Sequence, residues 1–364
     1  MAGNLFDKVF FKFFPTPSFL MPPSFGLDIS DDSLKFMELK EGKNGLEVNK
    51  CGEIAIPPGI IELGKIKNTG KMEEILTELR KREGVKSVRV SLTEQQVYIF
   101  QLRLEKEGLK SVREGIELVL EEHVPIPSED AIFDYDVVKE DEGSMEIQVA
   151  TIQRSVIENY LLIFKHSDMM VQSFELEAQA ISRAIIKTGD MGTYMIIDFG
   201  KKRTGIFIVS RGIVMFTSTL DVGGVMLTSA IEKSFNVSYE EAERMKKQYG
   251  LERNVSDKDV FSVLLNSVSV LRDEVEKHFV YWNTHKDEEG KNNPPIKKIL
   301  LSGGDSNLIG LSDYISISVK TPVEMANVWT NILNTDEHVP EMSFKRALSF
   351  STALGLSLGN FNKS

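Results

Sequence analysis

Three short turns in this chain carry residue types suited to holding a charged ligand: Asp28-Ile29-Ser30-Asp31-Asp32-Ser33, Asp198-Phe199-Gly200-Lys201-Lys202-Arg203-Thr204 and Ser302-Gly303-Gly304-Asp305. A carboxylate at a strand end, followed by a tight turn, can hold a hydrated magnesium ion while the turn's N–H groups and hydroxyls face phosphate oxygens. Asp28 and Asp198 each close an apolar stretch and each open a polar turn. In the third turn the glycines lie between an expected strand and an expected helix. There a missing side chain lets backbone approach a ligand, and a helix N-terminus favours an anion. Any one of these turns is also what an ordinary β-turn uses, since Asp and Gly are turn residues. Their order, and the near-repeat of the first in the second, point to two hairpins that grip a polyphosphate from both sides.

Elements of two similar halves must position these turns. Phe25–Ile29, Leu34–Leu39 and Leu46–Ile56 read as an antiparallel meander, and Met195–Gly200, Thr204–Ser210 and Ile213–Leu220 repeat it half a chain later, implying a domain-sized duplication. Between them come a helix near 72–82, strands at Ser87–Leu92 and Val97–Leu104, and an acidic amphipathic helix over 110–123 stopped by Val124-Pro125-Ile126-Pro127. Strands follow at Ile132–Val138 and Met145–Thr151, so that 105–152 reads as a small inserted α/β unit. A helix at 153–166, a strand at 170–174 and a helix at 176–187 lead back. After the second meander, helices are expected at 222–235, 238–248 and 257–286. In the last of these Val260, Leu264, Val268, Leu271, Val275, Phe279 and Trp282 form one apolar stripe. A strand at Ile296–Leu301 and a helix near 307–318 flank the third turn.

Composition narrows the function. The 364 residues carry a formal charge of −11, which disfavours nucleic acid as a partner. Cys51 is the single cysteine, so there is neither an internal disulfide nor a thiolate-rich metal site, in keeping with a cytoplasmic chain. His123, His166, His278, His285 and His338 are scattered, and His278 and His285 share an expected helix at a spacing unsuited to metal. No apolar run reaches the length of a membrane span. The Phe/Pro-rich arm, residues 1–24, puts Phe6, Phe10, Phe13 and Phe14 on one helical face but lacks a basic leader and a cleavage site, and prolines at 15, 17, 22 and 23 cut it off. It reads as an arm on its own domain or a segment at a membrane interface.

With these residues in place the sequence resembles the actin-like ATPase superfamily. Asp28 and Asp198 look like its two phosphate motifs and Leu300-Leu301-Ser302-Gly303-Gly304 its adenosine motif. Within it, the chain from Phe25 onward is most similar to the PilM family of type IV pilus assembly. The resemblance is carried by Gly26-Leu27-Asp28-Ile29-Ser30, Glu121-Glu122-His123-Val124-Pro125-Ile126-Pro127 with Phe133-Asp134-Tyr135, Glu175-Leu176-Glu177-Ala178, Asp221 to Thr228, Glu240 to Lys246 and Ala353-Leu354-Gly355-Leu356. It implies an α/β, actin-like (ribonuclease H-like) duplicated two-domain fold with an extra small α/β subdomain like that of the division protein FtsA. The expected boundaries are 25–104 and 153–190 for the first domain, 105–152 for the insertion, 191–225 and 296–345 for the second domain, 226–295 for its helical part, and 346–364 for a helix returning to the first.

The same resemblance implies ATP and Mg2+ in the cleft between the halves. Asp28 and Asp198 would organise the magnesium shell through water. Ser30, Ser33, Gly200 and Thr204 would lie near phosphates, Gly223 and Gly224 would line the nucleotide, Glu243 and Lys246 would hold ribose and base, and Gly303 and Gly304 would face the adenosine. The family usually has Gly at the position of Ser30, and Asp31 and Asp32 add like charge, while Lys201-Lys202-Arg203 reads either as compensation for a triphosphate or as a solvated turn. No general base for water is evident, so nucleotide binding with weak or absent hydrolysis is expected, with no catalytic residue assigned. The implied role is a cytoplasmic scaffold, peripheral to the membrane, that binds the cytoplasmic tail of a PilN-type protein, with other pilus motor components as further candidate partners. Two other readings use the same superfold. An FtsA-like division filament ordinarily ends in a basic amphipathic helix, whereas this sequence ends Gly359-Asn360-Phe361-Asn362-Lys363-Ser364. A small-molecule kinase needs a positioned catalytic carboxylate and a polar sugar pocket.

Overall fold

The computed structural model describes residues 24–42, 45–252, 259–286, 290–332 and 342–361. The arm, apart from Ser24, and His338 lie outside them.

The first sheet contains β1 (Phe25–Ile29), β2 (Ser33–Gly42) and β3 (Gly45–Ala55) as an antiparallel meander. The hairpin β4 (Ile61–Glu62) and β5 (Lys65–Ile66) leads to α1 (Thr69–Glu83), which starts where Asn68 accepts the Lys71 N–H and stops at Gly84 in the left-handed conformation. β6 (Ser87–Leu92) then returns parallel to β1. Buried on both faces, β1 is apolar almost throughout, which makes Asp28 conspicuous.

A three-stranded sheet follows, built from β7 (Val97–Glu105), β8 (Ala131–Glu140) and β9 (Ser144–Gln153) in the order β7-β9-β8, with α2 (Val112–His123) on one face. β7 pairs with β9 along its whole length, Val97 opposite Ile152 and Glu105 opposite Ser144. It therefore belongs to the small sheet, and the inserted unit starts earlier than the expected boundary at 105. The reason is the alternation Phe100, Leu102, Leu104, which packs with Ile116 and Leu120 of α2.

α3 (Arg154–His166), β10 (Met170–Leu176) and α4 (Glu177–Ile185) complete the first half, β10 lying parallel to β6. The second half opens with β11 (Thr193–Phe199), β12 (Thr204–Ser210) and β13 (Ile213–Leu220), again an antiparallel meander. Next come α5 (Gly224–Phe235), α6 (Tyr239–Tyr249) and α7 (Val260–Thr284), whose stripe from Val260 to Val275 is buried. β14 (Lys298–Ser302), α8 (Leu311–Val319) and β15 (Val323–Met325) follow, β14 parallel to β11 and β15 parallel to β14. The two large sheets are ordered β3-β2-β1-β6-β10 and β13-β12-β11-β14-β15, the same arrangement strand for strand.

The last helix, α9 (Ser351–Leu358), is wholly buried against β1 and α4. A Cβ at Gly26 would sit 1.9 Å from the Ala353 carbonyl oxygen, and one at Gly355 would sit 1.7 Å from that of Ala180. Glycine is required at both places because the backbones touch.

Candidate functional site

The strand ends that carry Asp28 and Asp198 face one another across a cavity of about 400 Å³. Each aspartate is the next-to-last residue of the first strand of its sheet, and each has a serine beside it on the equivalent parallel strand. Ser91 on β6 donates to Asp28 Oδ1 at 3.1 Å, and Ser302 on β14 is the register partner of Asp198, its hydroxyl donating to Ser351 Oγ at 2.8 Å. The duplication thus extends to the serine beside each carboxylate.

Burial raises the Asp28 carboxyl above its ordinary range, against the pull of Lys35 and the Ser91 hydrogen bond. Burial and then the neighbouring Asp28 charge push Asp198 up to about 6. Asp28, which is buried, and Asp198, which is half-buried, share one cavity and repel each other when both are ionised, a situation that a cation between them relieves. Among the described residues no three His, Cys, Asp or Glu side chains form a self-sufficient metal site. Asp28 and Asp198 are the residues that could hold a hydrated magnesium ion here, through its water shell.

The first turn is closed by the Ser30 N–H donating to the Ser33 carbonyl at 2.9 Å. Ser30 and Ser33 both line the cavity, and Lys35 Nζ donates to Ser33 Oγ at 3.1 Å. Asp31 turns its carboxylate toward the β4–β5 hairpin, where it accepts the Leu63 and Gly64 N–H groups at 3.2 and 2.9 Å. Asp32 pairs with Lys201 of the second turn at 2.9 Å. The like charge that the sequence places beside a phosphate is thus committed elsewhere in one case and neutralised in the other.

In the second turn the Gly200 N–H donates to the Arg203 carbonyl at 3.0 Å. Its three cations all reach the first half of the chain: Lys201 to Asp32, Lys202 Nζ to the Asp31 carbonyl at 3.2 Å, and Arg203 to Glu177 at 2.7 Å. Glu177 is the first residue of α4 and lines the cavity. Burial drives its carboxyl well above the ordinary range despite Arg203, and the nearby Glu94 carboxylate adds to the rise. Glu94 is itself buried and accepts the Ala178 N–H at 2.7 Å. A buried, upshifted carboxylate in a cleft is where a water-activating base would sit. Glu177 appears in the sequence as part of Glu175-Leu176-Glu177-Ala178, one of the segments that carry the family resemblance, but nothing in the sequence marks its pairing with Arg203.

Of the residues expected at the ligand, Asp28, Ser30, Ser33, Asp198, Gly200, Glu243, Gly303 and Gly304 line the cavity; Thr204, Gly223, Gly224 and Lys246 do not. Thr204 is fully buried and donates to the Val222 carbonyl at 2.6 Å. A Cβ on Gly223 would strike the backbone of Lys202 and Arg203, and one on Gly224 the Asp305 carboxylate. The Gly224 and Val225 N–H groups donate to the Gly200 and Lys201 carbonyls, so the start of α5 braces the second turn from behind. Lys246 is 3% exposed and donates to Asp305 at 2.7 Å and to the Gly224 carbonyl at 3.2 Å, with Glu243 at 2.9 Å. Burial alone would raise the Glu243 carboxyl, but hydrogen bonds from Thr228 and Lys246 bring it down to about 2. The third turn also departs from expectation: Gly304–Asn307 is one turn of 3₁₀ helix, and α8 starts only at Leu311 after Gly310 in the left-handed conformation. No α-helix N-terminus stands directly behind the glycines, and Gly303 is needed because a Cβ there would lie 2.4 Å from the Phe199 carbonyl.

Two halves of identical strand order, with a carboxylate from each facing a shared cleft, define an actin-like fold. Solved structures agree on this: the chain superposes with a TM-score of 0.77 on PilM from a PilM-PilN type IV pilus biogenesis complex, over 94% of this chain and 99% of that one at 18% identity. The MreB5 of Spiroplasma citri bound to ADP gives 0.56 over 95% and 100% at 14% identity. The family model for type IV pilus assembly protein PilM matches residues 26–361, and the chain belongs to that family. Among curated proteins it is similar to the cell division protein FtsA of Staphylococcus epidermidis, 22% identical over 57% of this chain, and to that of Buchnera aphidicola, 21% identical over 67%. These matches span 45% and 64% of the two relatives' lengths.

Proposed function

We propose that this protein is an ATP-binding scaffold of type IV pilus assembly, held at the inner face of the membrane by the cytoplasmic tail of a PilN-type partner. The observation that carries the nucleotide reading is the convergence of Asp28 and Asp198, from opposite halves, on one cavity. Carboxylates outnumber cations around that cavity, so a bare polyphosphate is repelled and a magnesium complex is the form that fits. Asp28 and Asp198 would hold the ion's water shell, Ser30, Ser33 and Gly200 the phosphates, and Gly303 and Gly304 the adenosine side. Bound there, magnesium neutralises phosphate charge. Structures of MreB5 of Spiroplasma citri with ADP and with AMPPNP share the fold and support the ligand class.

Hydrolysis is slow in this reading, because Glu177, the carboxylate placed to activate water, is tied to Arg203. The partner is supported by family membership and by the similarity to the PilM-PilN complex. No helix among the described residues is long and apolar enough to cross a membrane, so the proposed membrane attachment goes through that partner's tail.

Millimolar Mg-ATP raises the melting temperature by the mass-action term, and Asp198→Asn abolishes the rise. An unchanged wild-type melting curve contradicts the assignment. The partner is tested separately, by titrating a synthetic PilN-type tail peptide with and without nucleotide.

A further inference from the structure

Among the groups around the cleft, one pair has no role in the site as described. Asp32, on the first turn, meets Lys201, on the second, at 2.9 Å across the mouth of the cavity that both residues line. Asp32 is mostly buried, with its side chain 17% exposed, and Ser30 Oγ lies 3.2 Å from its other carboxylate oxygen. Lys201 is 60% exposed and sits in the turn that follows β11. The neighbouring contacts are different in kind. Lys202 reaches a backbone carbonyl, Arg203 is a buried partner of Glu177, and Lys35 lies over Ser33 with Glu53 at 3.9 Å.

We propose that Asp32 is a built-in stand-in for a phosphate group, occupying Lys201 across the cleft until a polyphosphate displaces it, so that the two residues together set nucleotide affinity. A carboxylate and a phosphate oxygen compete for the same ammonium donor, and an incoming polyphosphate also repels the fixed Asp32 charge. Both effects act in the same direction: Asp32 weakens binding, and Lys201 strengthens it once released. The pair also ties the first turn to the second at the rim of the cavity. This inference rests on the nucleotide reading of the cleft.

The test is calorimetric titration of Mg-ATP into the full chain as wild type, Asp32→Asn, Lys201→Gln, the double variant and Asp198→Asn, each checked for an unchanged far-UV spectrum. Expected are affinity about fivefold tighter for Asp32→Asn and about fivefold weaker for Lys201→Gln, with the Asp32→Asn gain reduced to about twofold or less in the Lys201→Gln background. Asp32→Ser repeats the first arm should the amide form a new hydrogen bond to Lys201. If wild type binds but removing the Asp32 charge leaves affinity unchanged or lowers it, the stand-in role is overturned and the nucleotide site stands. An equal gain with and without Lys201 overturns it too, leaving plain repulsion. If wild type and every variant fail to bind, the nucleotide reading itself is wrong and this inference falls with it.

Discussion

The turn after Asp28 and the turn after Asp198 occupy equivalent places in a repeated unit, yet their chemistry is opposite. The first carries Asp31 and Asp32, the second Lys201, Lys202 and Arg203. What the copies share is what the sheet demands: strand order, a penultimate aspartate, and a serine on the adjacent parallel strand. What differs is what only the pair can satisfy, because the cations of the second turn all find partners in the first half. Neither half is electrostatically complete alone, and the cleft between them is where the deficits cancel.

Breaking the buried contact has the largest effect. Arg203→Met leaves Glu177 and Glu94 without the guanidinium, and chemical denaturation will register a loss of about 3–5 kcal/mol. Asp31→Ala is next: two N–H groups of the β4–β5 hairpin lose their acceptor, costing about 1–3 kcal/mol, and the variant sharpens the contrast between an acid that braces its own half and one that faces the cleft. The pH dependence follows. Asp198 sits at about 6, above the unfolded value of 3.8, so its protonated form favours the folded state. The ligand-free protein gains that stability below the range and loses it as pH rises from about 4 through 6; Asp198→Asn removes this share of the slope and leaves the part due to Asp28 and Glu177, which burial also raises. Mg-ATP requires the ionised form, so affinity measured below pH 6 falls by up to about tenfold per unit. Lys201→Met is the smallest: an exposed rung contributes less than about 1 kcal/mol to ligand-free stability, and a loss as large as that of Arg203→Met would erase the distinction between the two contacts.

How much of this was readable from the chain depends on what kind of interaction fixed it. The two meanders were legible because apolar strands with a single penultimate acid leave a local pattern, and α7 because its stripe recurs every three or four residues. The reach of the small sheet over Val97–Glu105 was not legible, since its pairing with β9 joins residues 39 to 55 positions apart, Glu105 with Ser144 and Val97 with Ile152. The helix behind Gly303 and Gly304 was placed too close because Asp305, Ser306 and Asn307 are equally at home in a 3₁₀ turn. Lys246 read correctly as sharing a helical face with Glu243, but its buried bond to Asp305 depends on how α6 packs against the third turn. Glu94 was silent, and Glu177 stood out only as part of a family segment with no role attached, for the same reason: an acid becomes unusual only when the fold removes its water.

The seating of α9 between β1 and α4 also bears on the order of events during folding. The glycine contacts at positions 26 and 355 join segments far apart in the sequence, so one side of the innermost strand of the first sheet gains its cover only when α9 docks. Pairing so distant is made late, and until it is made β1 presents an apolar seam.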